Sequence, residues 1–300
     1  MSSIKIRNME TSDLPRVRDI CATAFYGYYG KIFLRTELNL ESSLALYRRG
    51  CFVAGDRDGI AGFIFSRKLG SLGWIGVFGV DPCRHGLDIG KPLLEAACAA
   101  LETGGCSIIG LETMPDSPYN VGFYLKYGFD LHYPVIVLEK EVNNIETPLS
   151  CSLSEDFGPG DILRAGSYVI EGLDYSAEAS NALEFGWGKT FFFKGLSGEG
   201  FAILRHVSII EGQKADVLFV RALVLTGESM EDILAAAACI ERYARSLGLG
   251  KVTLPASAVN ANALRWLINA GYRVVKTSMR MIRKGKYELT GGIEMSRWIM

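Results

Sequence analysis

The sequence lacks an excess of charge of either sign, with 32 Lys and Arg against 33 Asp and Glu. Without a basic field there is no electrostatic footprint for nucleic acid or for an anionic membrane surface, so neither is expected as a partner. Long hydrophobic runs are also missing; none approaches the roughly 18 residues of a membrane helix. The start, MSSIKIRNMETSD, turns polar within a few residues, which does not fit a signal peptide. Paired cysteines are absent too. Seven lie scattered at 21, 51, 83, 98, 106, 151 and 239 with no C-x-x-C, which argues against a disulfide framework or a zinc site. The expectation is a cytoplasmic protein with reduced thiols and no metal.

What is present is enough apolar material for two cores: 49% of 300 residues. Strand-like runs alternate with helical ones. CFVAGD, GIAGFIFSRKL and GWIGVFGVD are separated by the turn signals DRDG and GSLG. In GKPLLEAACAALETGG, Leu93, Leu94, Ala97 and Leu101 keep helical spacing until Gly104 and Gly105 end it. CSIIGLETM, VGFYLKYG and HYPVIVLEKEV complete a unit near residue 142, and the polar, proline-bearing NNIETPLSCS after it has the composition of a linker. A shift of 143 then carries Gly105 onto Gly248, Leu111 onto Leu254 and Gly128 onto Gly271. The same order recurs in VLFVRALVL, MEDILAAAACIERYARSLG, KVTLP, ALRWLINAG and YRVVKTSMRMIRK, so a duplicated domain is expected.

The stretch VDPCRHGLDIGKPLL, from Val80 to Leu94, runs from a strand end through a glycine-bearing loop into a helix. Such a turn gathers unpaired N–H groups and the positive end of a helix dipole, which suits a phosphate. A Walker loop is excluded, because His85 and Pro92 stand where Gly and Ser or Thr are needed, and no G-x-G-x-x-G follows a first strand.

This stretch, together with SPYNVGFYLKYGF, resembles the GNAT superfamily of acyl-CoA-dependent N-acyltransferases, in its tandem form with two domains in one chain. The family's loop pattern is Gln or Arg, two residues, Gly, one residue, Gly or Ala; counted from Pro82 those places hold His85, Asp88 and Gly90, of which only the last matches. Tyr124 and Gly128-Phe129 carry the family's Tyr, three residues, Gly-Phe signature, while Ser117 stands where Asn is usual. The resemblance implies an α/β (α+β) fold of two tandem GNAT-like domains, each a mixed, mainly antiparallel sheet flanked by helices. It places a catalytic domain at 1–142, a linker at 143–152 and a degenerate domain at 153–300.

It also implies acetyl-CoA as co-substrate and an amine as acceptor. The pantetheine arm would pair with strand backbone at Phe78, Gly79 and Val80, where the Val80 N–H would stabilise the oxyanion, an effect worth factors of ~100 in rate. The pyrophosphate would meet Gly86, Leu87, Asp88, Ile89, Gly90 and Lys91, with Arg84 and His85 beside it and Ser117 and Asn120 at the next helix start. Tyr124 would protonate the departing thiolate, a sensible match of phenol to thiol acidity. Each residue also has a plainer reading. Tyr124 is equally a core aromatic by pattern, Asp88 a helix N-cap, and His85 an idle loop histidine. Glu112, near the end of the fifth strand, is the nearest candidate base, with a structural carboxylate or water-relayed proton loss as alternatives.

The second half departs from this chemistry. Its loop, TGESMEDI, puts Glu228, Glu231 and Asp232 where phosphate donors belong, and Leu267 replaces Tyr124. It is expected not to bind CoA, and instead to complete the acceptor pocket or to mediate a homodimer. The aromatic stretch AFYGYYGKIF, with Phe25, Tyr26, Tyr28, Tyr29 and Phe33, is a candidate wall of the acceptor pocket, or else a core seam. Two functions follow: an N-acetyltransferase with its site in the first half, or an acyl-CoA-binding regulatory module that has lost catalysis.

Overall fold

A computed structural model describes residues 4–26, 30, 32–142 and 151–298. The expected linker therefore lies largely outside the described residues, as do Tyr28 and Tyr29 of the aromatic stretch. The first half runs β1 (Lys5–Asn8), α1 (Leu14–Ala24), α2 (Glu37–Leu46), β2 (Phe52–Asp56), β3 (Gly59–Leu69), β4 (Leu72–Val80), α3 (Gly90–Thr103), β5 (Ile108–Thr113), α4 (Pro118–Lys126) and β6 (Asp130–Glu141). The second runs β7 (Ser152–Ser154), α5 (Pro159–Val169), α6 (Ser176–Glu184), β8 (Gly188–Lys194), β9 (Gly200–Arg205), β10 (Val217–Leu225), α7 (Met230–Ser246), β11 (Lys251–Ser257), α8 (Ala261–Asn269), β12 (Arg273–Lys284) and β13 (Ile293–Ser296).

The run of β3 is apolar on both faces because α1 and α3 cover opposite sides of the sheet: Phe63 and Phe65 pack in one cluster with Val17 and Ile20, Ala61 and Ile64 in another with Leu93 and Leu94. On α3, Leu93, Leu94, Ala97, Cys98 and Leu101 are buried, one stripe at helical spacing. The helix stops at Gly105, whose φ of +83° lets Cys106 N donate to Leu101 O at 3.0 Å. One repeat later Gly248, at +68°, lets Leu249 N donate to Ala244 O at 3.0 Å. Gly128 and Gly271 end α4 and α8 in the same way, at +81° and +94°. The duplication read from the sequence is thus built into matching helix ends.

The two sheets are joined. One sheet runs β1-β2-β3-β4-β5-β12-β6-β11-β10-β9-β8-β7, with β13 beside β10. Among the described residues only β4–β5 and β10–β11 are parallel pairs; the other neighbours are antiparallel. Each half lends its last long strand to the other: β12 lies between β5 and β6, and β6 between β12 and β11. The exchange is nearly symmetric. Asp130 pairs with Ile282 and Glu139 with Arg273, two pairs that a shift of 143 interchanges. Among the described residues no helix is long and apolar enough to cross a membrane.

Candidate active site

The site begins where β4 leaves β5. The two are paired from Leu72 opposite Ile108 to Ile75 opposite Leu111, and no further. Next, Gly76 pairs with Phe65 and Phe78 with Ile64, so Val77 is an extra residue in β4, at a φ of +31°. A bulge of this kind sharpens the twist and ends pairing on one side. Asp81 N donates to Ala61 O at 2.8 Å, toward β3. Because successive N–H groups in a strand point to opposite edges, those of Phe78 and Val80 point into the opening beside β5.

The loop after β4 is held at its base. Asp81 accepts from Cys83 N at 2.9 Å and pairs with Arg16. The Arg84 guanidinium donates to both oxygens of Asp56, at 3.2 and 3.4 Å, so it fixes the loop to the β2–β3 turn instead of standing free for a phosphate. His85, Gly86, Leu87 and Asp88 are exposed and Ile89 is buried. Asp88 has a φ of +50°, in the left-handed region where glycine is preferred. A glycine would take this backbone without strain, which is the residue type that the resemblance expects at this place. The expected capping role is corrected: the N-cap position of α3 is Ile89, and no side chain caps it. The first-turn N–H groups, Pro92 having none, are therefore left for an outside acceptor. Lys91 lies in that turn, 3.9 Å from Glu95.

Glycine at 90 has a packing reason. A Cβ there would come within 3.3 Å of the ring of Phe78 and 3.2 Å of that of Phe123. Those rings, with centroids 5.9 Å apart, join β4 to α4. Ser117 caps α4, its hydroxyl accepting from Asn120 N at 3.4 Å, which is a local use for the serine found in place of asparagine. The ring of Tyr124 stands edge-on to Phe123 at 5.4 Å and to Phe129 at 5.8 Å. Burial pushes its phenol well above the usual tyrosine range, so it holds its proton.

Glu112 is held in a buried ion pair. Its carboxylate is fully buried, accepting from Arg280 Nη2 at 2.9 Å and from Ser278 Oγ at 3.1 Å. Arg280 comes from the exchanged strand β12 and also lies 3.8 Å from Glu294 of β13. Its charge stacks 4.1 Å from the Trp298 ring and 4.8 Å from that of Tyr287. An arginine in the apolar stretch SMRMI was the only hint of this partner in the sequence.

The second half has the same strand geometry with the opening filled. β10 pairs with β11 only over Val217–Phe219, and it bulges at Arg221. Beyond the bulge, Ala222 to Leu225 pair antiparallel with Ser296 to Ile293 of β13. The chain's own strand thus lies along the edge that β4 leaves open in the first half. Glu228 accepts from Gly292 N at 2.7 Å, and Asn260 donates to Glu294 O at 3.0 Å, fixing β13 at both sides. Asp232 is spent on Ser197, accepting from its N at 2.9 Å, and Ser229 caps α7. Leu267, in the place of Tyr124, is wholly buried.

A cavity of about 450 Å³ opens between the halves. Phe25 and Phe33 line it, beside Arg205, Arg221 and Lys276 of the second half; Tyr26 of the same aromatic stretch is exposed instead.

Residues 14–129 match the model of the acetyltransferase (GNAT) family. No curated relative matches the sequence. Among solved structures, a putative acetyltransferase from Pyrococcus horikoshii aligns over 99% of this chain and 96% of its own, with a TM-score of 0.73 at 18% identity. A GCN5-related N-acetyltransferase from Sphaerobacter thermophilus aligns over 96% and 98%, with a TM-score of 0.62 at 11% identity. A tandem GNAT protein from the clavulanic acid biosynthesis pathway aligns over 95% and 100%, with a TM-score of 0.61 at 11% identity. At these identities the likeness is one of fold, and it extends across both halves.

Proposed function

Since the chain carries an acetyltransferase (GNAT) domain over residues 14–129, we propose that its first half moves an acetyl group from acetyl-CoA to an amine. The observation that carries this reading is the open β4 edge next to an uncapped α3 in the first half, set against the filled edge in the second. Among the described residues no strand pairs with the N–H groups of Phe78 and Val80, which in this reading bind the amide-bearing pantetheine arm and polarise the thioester carbonyl beside it. The α3 N-terminus and Lys91 suit the pyrophosphate. When the amine nitrogen bonds to the acyl carbon, the carbon–sulfur bond breaks, the amine's proton leaves to water, and Tyr124 gives its proton to the sulfur. The phenolate is then reprotonated from solvent. With Glu112 committed to Arg280, a water relay is the better reading for the base.

In this reading residues 1–142 form the catalytic unit, completed by β12. Residues 153–300 form a unit that binds no CoA and walls the acceptor cavity, with no homodimer needed to build the site. Seven unpaired thiols suit a reducing, cytoplasmic setting. A second reading, a binding module without turnover, is favoured by the exposed Asp88 in the phosphate loop. Incubation with acetyl-CoA and a panel of amines, following free thiol, separates the two: release that depends on an amine supports transfer. Calorimetric CoA binding without release by any amine leaves the binding module.

A further inference from the structure

Cys151 and Cys239 lie 88 residues apart in the chain, and the fold of the second half brings their sulfur atoms together. Cys151 directly precedes β7, the three-residue strand at the end of the sheet, whose Ser152 to Ser154 pair with Lys194 to Phe192 of β8. Cys239 lies on α7, in the buried stripe with Ala235, Ala236 and Ile240. Residues 235 and 239 are one helical turn apart, so the Ala235 carbonyl and the Cys239 side chain meet the same neighbour. That neighbour is Cys151. Its Sγ donates to Ala235 O at 3.2 Å and lies 2.7 Å from Cys239 Sγ, and Cys239 Sγ in turn donates to Cys151 O at 3.0 Å.

A plainer use of both residues is as small apolar core fillers. That use accounts for their burial but not for two sulfurs set face to face, with a backbone carbonyl to take each thiol proton and only a small movement of either side chain needed for a bond. The two thiols are also unequal. Contact with the Cys151 thiol, which can turn its proton to an ionised neighbour, draws Cys239 below the usual thiol range in spite of burial, and Arg242 acts in the same direction; the same contact, with burial, pushes Cys151 up. Cys239 is thus the member that ionises and Cys151 the one that resolves it. Access comes from the sheet end. Ser152, next to Cys151, is exposed, and a three-residue edge strand opens at lower cost than the strands behind it.

We propose that Cys151 and Cys239 are a modification site, forming a reversible disulfide with hydrogen peroxide as oxidant and so stapling the edge strand β7 to α7. The Cys239 thiolate attacks one peroxide oxygen, the O–O bond breaks, and the departing hydroxide takes a proton and leaves as water, with Cys239 left as a sulfenic acid. The Cys151 thiol then attacks that sulfur; its S–H bond and the S–OH bond break, the S–S bond forms and a second water leaves. Two electrons pass from the sulfurs to the peroxide, and a dithiol reductant returns them, becoming a disulfide itself. The site stands apart from the acetyl-transfer reading and does not depend on it.

The test treats the full chain with hydrogen peroxide, alkylates the remaining thiols and maps the peptides by mass spectrometry without reduction. The peptides holding Cys151 and Cys239 should be recovered cross-linked, and dithiothreitol should return both to the alkylated form. Because a link across 88 residues restricts the unfolded chain, the oxidised protein should melt about 5 °C or more above the reduced one. Cys239→Ser should abolish both the cross-link and the rise. Cys151→Ser should abolish them too, and should leave at Cys239 a sulfenic acid that a sulfenic-acid probe labels; this second variant keeps the test sound should the first fold poorly. Cys83, exposed in the loop after β4, is the control for exposure to the oxidant. Recovery of Cys151 and Cys239 as free thiols under peroxide that has oxidised Cys83 overturns the proposal. A link of either to another cysteine, oxidation of Cys239 beyond the sulfenic acid without a link, or a cross-link that leaves the melting midpoint unchanged overturns it as well.

Discussion

Asp88 stands in the loop before α3, the proposed phosphate site, in a backbone conformation made for glycine. A side chain in the left-handed region costs roughly 1 kcal/mol, and glycine's extra freedom in the unfolded chain costs roughly 0.5–1 kcal/mol, so the two nearly cancel. Asp88→Gly should therefore leave the thermal midpoint within about 2 °C of the parent. A read-out from sequence alone, with Asp88 as a cap, anticipates a clear loss. Both Asp88→Gly and Asp88→Asn should bind CoA about 3- to 10-fold more tightly at low salt, with the gain shrinking as salt rises, because an opposed charge is removed from the phosphate site. Unchanged or weaker calorimetric binding in both would mean that Asp88 points away from the phosphates. For Tyr124→Phe, kcat should fall roughly 10- to 1000-fold with CoA affinity kept. An unchanged kcat where chemistry limits the rate would return Tyr124 to the core. Tyr124 and Gly90 stand out in the sequence because each carries a short-range pattern. Arg84 and Glu112 do not, since what they do is set by Asp56 and Arg280, 28 and 168 residues away, and no local spacing records such a partner.

Among the elements, β13 is the one on which the proposed single cofactor site turns. It pairs with β10 along the edge where the proposed reading would put a pantetheine arm, and Glu228 accepts from the N–H of Gly292 just before it. CoA should therefore bind with a stoichiometry of one per chain, and a calorimetric value near two with similar affinities would contradict this. The acidic loop TGESMEDI already suggested a closed second site, by repulsion. The structure gives two of the three acids other work: Glu228 accepts from Gly292 N beside β13 and Asp232 from Ser197 N. The sequence GGIEMSRW carries a four-residue strand with a buried glutamate, whose carboxylate is satisfied by Tyr175 at 2.7 Å and Tyr287 at 2.6 Å. A charged residue in so short a run conceals a buried strand from pattern reading. The duplicated strands and helices were legible because their glycine-ended helices and apolar stripes repeat at a constant spacing.

At the scale of the molecule, the exchange of β6 and β12 makes the halves interdependent. Neither half's sheet is complete without the other's strand, and the buried Arg280 joins Glu112 of the first half to Glu294 of β13. That exchange could not be read from sequence, because β6 and β12 have the same length and the 143-residue shift fits either pairing equally well. Its consequence for stability is specific. Two independent domains of this size would melt separately, whereas a shared sheet and one buried ion cluster should give a single calorimetric transition. Arg280→Met removes the charge from between two buried carboxylates while keeping much of the apolar stem. Leaving those carboxylates without their counter-charge should cost about 3–5 kcal/mol. If the halves are coupled, the whole transition should move down by several degrees as one event, and CoA binding in the first half should protect the entire chain. Two resolved transitions in the parent, or a variant in which only one half melts early, would mean that the exchanged strands join the halves without making them fold together.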